Sequence, residues 1–188
     1  MELRIRALVR ALAKSDGDTY RHSLEVAATA RAVGLRLGLV GEELDEVELA
    51  ALLHDVGKLR LPQELLTKPG ALTEEERRLI RLHPEWGAEM VAGIPGLEAV
   101  AVIVRLHHER PDGRGYPHGL THEEIPIAAR IVAVCDAYGA MTNQRPYSAP
   151  LEVGEALCEL ERHAGTQFDP AVVDALVAIV RLRERVPA

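Results

Sequence analysis

Aromatic side chains make up only 3% of the 188 residues: one Phe, one Trp and four Tyr. A core built almost without them must be aliphatic, from Leu, Val, Ile and Ala, which suits helices better than a β-sandwich. Cysteine is scarcer still. Cys135 and Cys158 make neither a disulfide framework nor a metal knuckle, so a reducing, cytoplasmic location is expected. No apolar run approaches the ~18 residues of a transmembrane helix and the N-terminus lacks a signal-peptide core, so no membrane partner is expected. Positive charge is also in deficit, with 22 Lys and Arg against 29 Asp and Glu, a net −7. That balance argues against a nucleic-acid polymer, because a phosphate array would not be attracted. Hydrophobic residues nevertheless reach 47%, which excludes a disordered chain, and the length fits one domain. Against these shortages stand eight histidines.

Helical periodicity runs along the chain without strand-like alternation. The spacing predicts helices over residues 1–13, 19–37, 41–56, 62–66, 73–92, 97–108, 126–141, 151–163 and 169–183. Ser15-Asp16-Gly17-Asp18 can cap the second, and Thr73 with Glu76 fits a capping box. Pro84 bends or restarts the helix it enters, and Pro126 suits the first turn of another. A long polar loop spans 109–124. The expected fold is all-α: a single-domain helical bundle with an amphipathic, arginine-rich helix over 1–15 at its start.

Three histidines read as ordinary surface residues. His118 and His122 lie in or beside the polar loop, and His163 ends a helix where a cation favours the dipole. The other five, with three aspartates, stand where a soluble helix has no need of them: Asp18, His22, His54, Asp55, His83, His107, His108 and Asp136. His54-Asp55 follows the apolar run 49–53, His107-His108 ends an apolar helix, and Asp136 interrupts 131–135, so these groups are expected inside. An unpaired buried carboxylate is costly, and a metal ion is a cation that satisfies several such groups at once. Imidazole and carboxylate without thiolate point to Fe, Mn or Zn. More than four candidate ligands implies more than one ion, and paired metals are a recurrent device for phosphoester hydrolysis.

The same residues carry a resemblance. His54-Asp55, followed by Val56-Gly57-Lys58, resembles the signature of the HD superfamily of metal-dependent phosphohydrolases. The loop His107-His108-Glu109-Arg110-Pro111-Asp112-Gly113-Arg114-Gly115-Tyr116-Pro117 is similar to that of the HD-GYP branch. So are the segment 129–136, Arg145-Pro146-Tyr147 and Phe168-Asp169-Pro170. The likeness runs from Asp16 to Leu176. It implies a bundle of about seven helices, an HD core plus C-terminal helices, with the catalytic domain over 16–188. The implied activity is that of a cyclic di-GMP phosphodiesterase, giving linear pGpG or GMP by attack of a metal-activated hydroxide. Carried over by position, His54, Asp55 and Asp136 would hold one metal, and Asp55, His83, His107 and His108 a second. Asp18 and His22, four apart, would serve a third ion as in members with Glu at the Asp18 position, although Asp is shorter by one methylene. The implied cofactors are two divalent ions, or three, with Fe or Mn ahead of Zn.

In that scheme Asp55 and Lys58 are catalytic, Lys58 meeting the phosphate or the charge on the leaving oxygen. Its plainer role is a helix-end lysine. Arg145 would grip a phosphate with its planar fork, and Tyr116 would line the substrate groove or simply pack the turn. Gly113 and Gly115 shape the loop. Two positions depart from the branch: Gly139 stands where an acid is common, and Ser148 where a second cation often assists, both on the expected substrate side. Two other readings are a non-catalytic module binding a cyclic dinucleotide or a protein, and an HD-type di-iron oxygenase. The first usually shows lost ligands, and none of the main ones is missing; the intact loop and Arg145 argue against the second. A homodimer through the arginine-rich first helix, or a sensory or GGDEF-type partner, is the expected assembly.

Overall fold

Helices supply every regular element among residues 2–143 and 149–185, which the computed structural model describes; the β contacts there are two isolated bridges, Asp112 with Thr121 and Ala164 with Phe168. The first helix, α1 (Glu2–Ser15), gives way to Asp16, whose carboxylate accepts the amides of Asp18 and Thr19. That cap starts α2 (Gly17–Arg36) two residues earlier than periodicity alone suggested. The third helix, α3 (Glu42–Leu53), ends short of the expected 56: His54 is its C-cap, and a 3₁₀ turn comes next over Val56–Arg60. A single turn, α4 (Gln63–Leu66), succeeds it. The helical stretch expected over 73–92 restarts rather than bends: it is two helices, α5 (Glu74–Ile80) and α6 (His83–Ala92), with Pro84 in the first turn of α6 where its missing N–H costs nothing. The Thr73–Glu76 capping box forms. The order closes with α7 (Glu98–Leu106), α8 (Ile127–Thr142), α9 (Val153–Arg162) and α10 (Pro170–Arg185). Nine of these helices have seven residues or more, above the number implied by the resemblance, and the break before Pro84 accounts for part of the excess.

The core is aliphatic, as the composition required. Val26, Ala30 and Val33 of α2, Val47, Ala50 and Leu53 of α3, Val100 and Val104 of α7, and Ile131 and Val132 of α8 belong to one buried cluster. Among the described aromatics only Phe168 is buried. The first helix lies in cis against α2 and the 3₁₀ turn, burying Leu12 and leaving Leu3 81% exposed. No described helix is long and apolar enough to cross a membrane.

Two tight junctions hold the helices in place around the buried histidines. The 3₁₀ turn rides on the start of α6: a Cβ at Gly57 would stand 1.9 Å from the His83 carbonyl oxygen and 2.6 Å from the Gly87 nitrogen, so only glycine fits. Asp55, two residues before Gly57, is thereby brought beside His83. Farther along, the buried Asp169 carboxylate caps α10 through the Ala171 amide (2.8 Å) and pairs with Arg130 of α8 and with His122 (3.0 Å). His122 is therefore a tie between the long loop and α10, beyond the surface residue that the sequence suggested.

Candidate metal centre

Three of the candidate ligand imidazoles are set by helix ends. His54 and His107 are the C-caps of α3 and α7, and His83 lies three residues past the end of α5. Each turns Nδ1 back onto a terminal carbonyl: His54 to Ala51 at 2.7 Å, His83 to Ile80 at 2.8 Å and His107 to Val104 at 2.6 Å. A carbonyl only accepts, so Nδ1 carries the hydrogen on each ring, and on a neutral ring Nε2 then presents a lone pair inward. Two such lone pairs, on His83 and His107, face each other at 3.4 Å, and the buried His54 Nε2 has no hydrogen-bond partner among the described residues.

The carboxylates complete the set. Asp55 stands between two of the rings, with Oδ1 3.3 Å from His83 Nε2 and Oδ2 3.4 Å from His54 Nε2. Its Oδ2 also accepts from Lys58 Nζ at 2.7 Å. Asp136, midway along α8, lies 2.8 Å from His22 Nε2 and 3.7 Å from His54 Nε2. Two triads result, His83–His107–His108 and His22–His54–Asp136, each with ligand atoms within 4.8 Å of one another.

Electrostatics separate the two. Burial together with neighbouring imidazoles pushes His83 down to about 4, His108 down to about 3 and His107 well below its ordinary value. These rings are neutral at pH 7 and offer lone pairs rather than protons. His54 goes the other way: burial opposes its charge, but Asp55 and Asp136 outweigh burial and raise it to about 9, so its Nε2 holds a proton that a cation beside the two carboxylates would displace. Burial would also raise both carboxyls; Lys58, His54 and His83 instead hold Asp55 well below the usual carboxylate range, and His22 and His54 do the same for Asp136. Converging neutral imidazole nitrogens beside ionised carboxylates fit divalent cations, because no proton is favoured in the space between His83 and His107.

The cluster opens into a cavity of about 280 Å³ lined by Arg81, His107, His108, Tyr116, Asp136 and Phe168, among others. A wider, shallower groove of about 650 Å³ runs along α9 past Cys158 and contains none of the candidate ligands. The Tyr116 ring stacks on His108 at 4.8 Å; burial and the charges of Asp55 and Asp136 push its phenol up, so it is neutral. Its loop is held by a residue not singled out from the sequence. Glu109, 3% exposed, accepts the amides of His118 (2.6 Å), Gly119 (3.2 Å) and Leu120 (3.0 Å). A carboxylate immediately after a His pair at the end of an apolar helix was the available signal. Gly115 closes the loop from the other side: a Cβ there would stand 2.4 Å from the Arg110 nitrogen.

The remaining expected residues are less uniform. Asp18 is exposed and pairs with Arg21 at 2.9 Å, so it does not join His22, which faces Asp136 instead. Gly139, expected on the substrate side, abuts the His22 ring, and a Cβ there would be 3.0 Å from His22 Cε1. An acid at that position would crowd a candidate ligand. Arg145 and Ser148 lie outside the described residues, with Pro146 and Tyr147.

Residues 6–172 match the family model for the HD domain. The chain is 42% identical over 172 residues to the cyclic di-GMP phosphodiesterase response regulator RpfG of Xanthomonas campestris pv. campestris, covering 90% of this chain and 46% of that protein. It is 45% identical over 175 residues to the cyclic di-GMP phosphodiesterase PA4108 of Pseudomonas aeruginosa, covering 93% of this chain and 42% of that protein. It thus spans less than half the length of either relative. Bd1817, an HDG"Y"P protein from Bdellovibrio bacteriovorus, shares the fold with a TM-score of 0.69 at 24% identity, over 86% of this chain and 52% of that one.

Proposed function

The chain belongs to the HD domain family, and on that premise we propose that it is a metal-dependent phosphodiesterase hydrolysing cyclic di-GMP to linear pGpG or GMP. The observation that carries the reading is Asp55, one carboxylate within 3.4 Å of an imidazole from each triad. That placement suits two adjacent divalent ions, Fe or Mn ahead of Zn, sharing a ligand. His22, His54, Asp55 and Asp136 would hold one, and Asp55, His83, His107 and His108 the other. Such ions lower the pKa of water to supply hydroxide and neutralise charge developing on the phosphate.

The chain's own groups do the rest. Lys58 fixes the Asp55 carboxylate and keeps it ionised. Tyr116 lines the substrate groove with an uncharged ring, already stacked on His108. Arg145, by its family position, is the phosphate fork. Asp18 is left out of this ligand set because it pairs with Arg21. The names of the two bacterial relatives support a cyclic dinucleotide substrate, and the free Cys135 and Cys158 agree with a cytoplasmic setting.

The test is direct. Protein reconstituted with Fe or Mn without oxygen is incubated with cyclic di-GMP, and the products are resolved by chromatography. Metal-dependent release of pGpG or GMP is expected; tight binding without turnover would shift the reading to a non-catalytic module.

A further inference from the structure

We propose that Arg81 is a substrate-binding residue that grips a phosphate other than the one being cleaved, making the site selective for substrates with two phosphodiesters. The inference rests on the phosphodiesterase reading. Arg81 is the C-cap of α5, two residues before His83, and its guanidinium carbon stands 5.4 Å from the centroid of the Tyr116 ring. Because Tyr116 stacks on His108 at 4.8 Å, this exposed guanidinium is carried one aromatic ring away from a candidate ion ligand, on the wall of the same cavity.

Among the described residues, two further arginines line that cavity. Arg110 is committed, its Nε and Nη2 both donating to the Asp112 carboxylate at 3.0 and 2.6 Å. Arg114 flanks the same carboxylate and donates its amide to it. Arg81 has no carboxylate within ion-pair distance among the described residues, although its helix neighbour Arg78 meets Glu74 and the chain is acidic overall. A cyclic dinucleotide carries two anionic diesters. Only one can sit at the ions, so the other must meet a cation or stay in water. A guanidinium held over a tyrosine at the cavity wall presents the planar fork that phosphate oxygens accept.

The experiment compares Mn-loaded wild type, R81A, R81K and the exposed control R78A on cyclic di-GMP and on bis(p-nitrophenyl) phosphate, which has a single diester. R81A is expected to raise KM for cyclic di-GMP about tenfold or more, the loss of one charge-assisted contact. On the single diester kcat/KM stays within about twofold of wild type. R81K, with charge but no fork, falls between, and R78A matches wild type. The rise of KM with salt, expected for an exposed charge contact, is shallower in R81A. Equal losses on both substrates, or no change on cyclic di-GMP, would overturn the proposal. If wild type binds cyclic di-GMP in calorimetry without cleaving it, the phosphodiesterase reading fails alone, and the same tenfold criterion applied to Kd decides Arg81. If it neither binds nor cleaves, both fall.

Discussion

Replacing Gly57 by alanine tests the link between backbone packing and the ligand cluster. The added carbon would lie 1.9 Å from the His83 oxygen, 2.6 Å from the Gly87 nitrogen and 2.8 Å from the His83 carbonyl carbon. Ordinary contacts of this kind begin near 3.5 Å, so the 3₁₀ turn must retreat from α6 by more than about an ångström. Every obstructing atom is backbone, so no side chain can rotate away. Overpacking of this sort costs about 1–3 kcal/mol, and the rigid surroundings place G57A at the upper end. For a chain of this size that is a fall in Tm of about 6–12 °C. The retreat also separates Asp55 from His83, now 3.3 Å apart. Metal binding at about a hundred times Kd should add about 2.7 kcal/mol to wild-type stability, and G57A should lose most of that increment. Denaturant titration with and without Mn reads both quantities. Gly154 in α9, where a Cβ would meet nothing within 4 Å, is the control: G154A should be neutral or stabilise by about 0.5–1 kcal/mol. G57A within about 0.5 kcal/mol of wild type, with the full metal increment, would refute the reasoning.

Three further outcomes are expected. H107A removes a buried Nε2 from the imidazole triad and should weaken metal binding at least about 100-fold by calorimetry, abolishing the Tm shift that chelation causes in wild type. E109Q sets an amide N–H₂ against backbone amides that the carboxylate now accepts, costing about 1–3 kcal/mol in thermal unfolding; unchanged stability would mean the loop holds itself. D169A loses the α10 cap and the partner of Arg130, for about 2 kcal/mol at neutral pH. Burial raises the Asp169 carboxyl, but the Ala171 amide, Arg130 and His122 bring it below its ordinary 3.8. Its contribution is therefore complete above that value and lost as pH falls through the lower folded one, so wild type and D169A should converge in acid unfolding.

The candidate ligands were legible because ionisable groups inside aliphatic runs contradict ordinary burial: His54-Asp55 after 49–53 and Asp136 within α8 need a partner before any fold is known. Their mutual arrangement was not legible. That Asp55 stands between His54 and His83 depends on Gly57 lying against α6, a contact between residues about thirty apart in the chain with no periodicity to announce it. Spacing put Asp18 and His22 on one face, yet the Asp16 cap starts the helix so that Asp18 meets Arg21 instead. Glu109 escaped because it serves amides nine to eleven residues on, in a loop without a repeat. The all-α class came from composition and period, whereas the ends of α3 and α5 were settled by the capping histidine and by Pro84.

The inward-facing tautomers have a consequence for order in the chain. His54, His83 and His107 are each tethered through Nδ1 to the final turn of a helix, so a fraying end lets go of a ligand, and a lost ion removes what steadies the end. The last turns of α3, α5 and α7 and the filling of the centre would then form one cooperative unit, in which departure of an ion would be felt first as loosening of three helix termini.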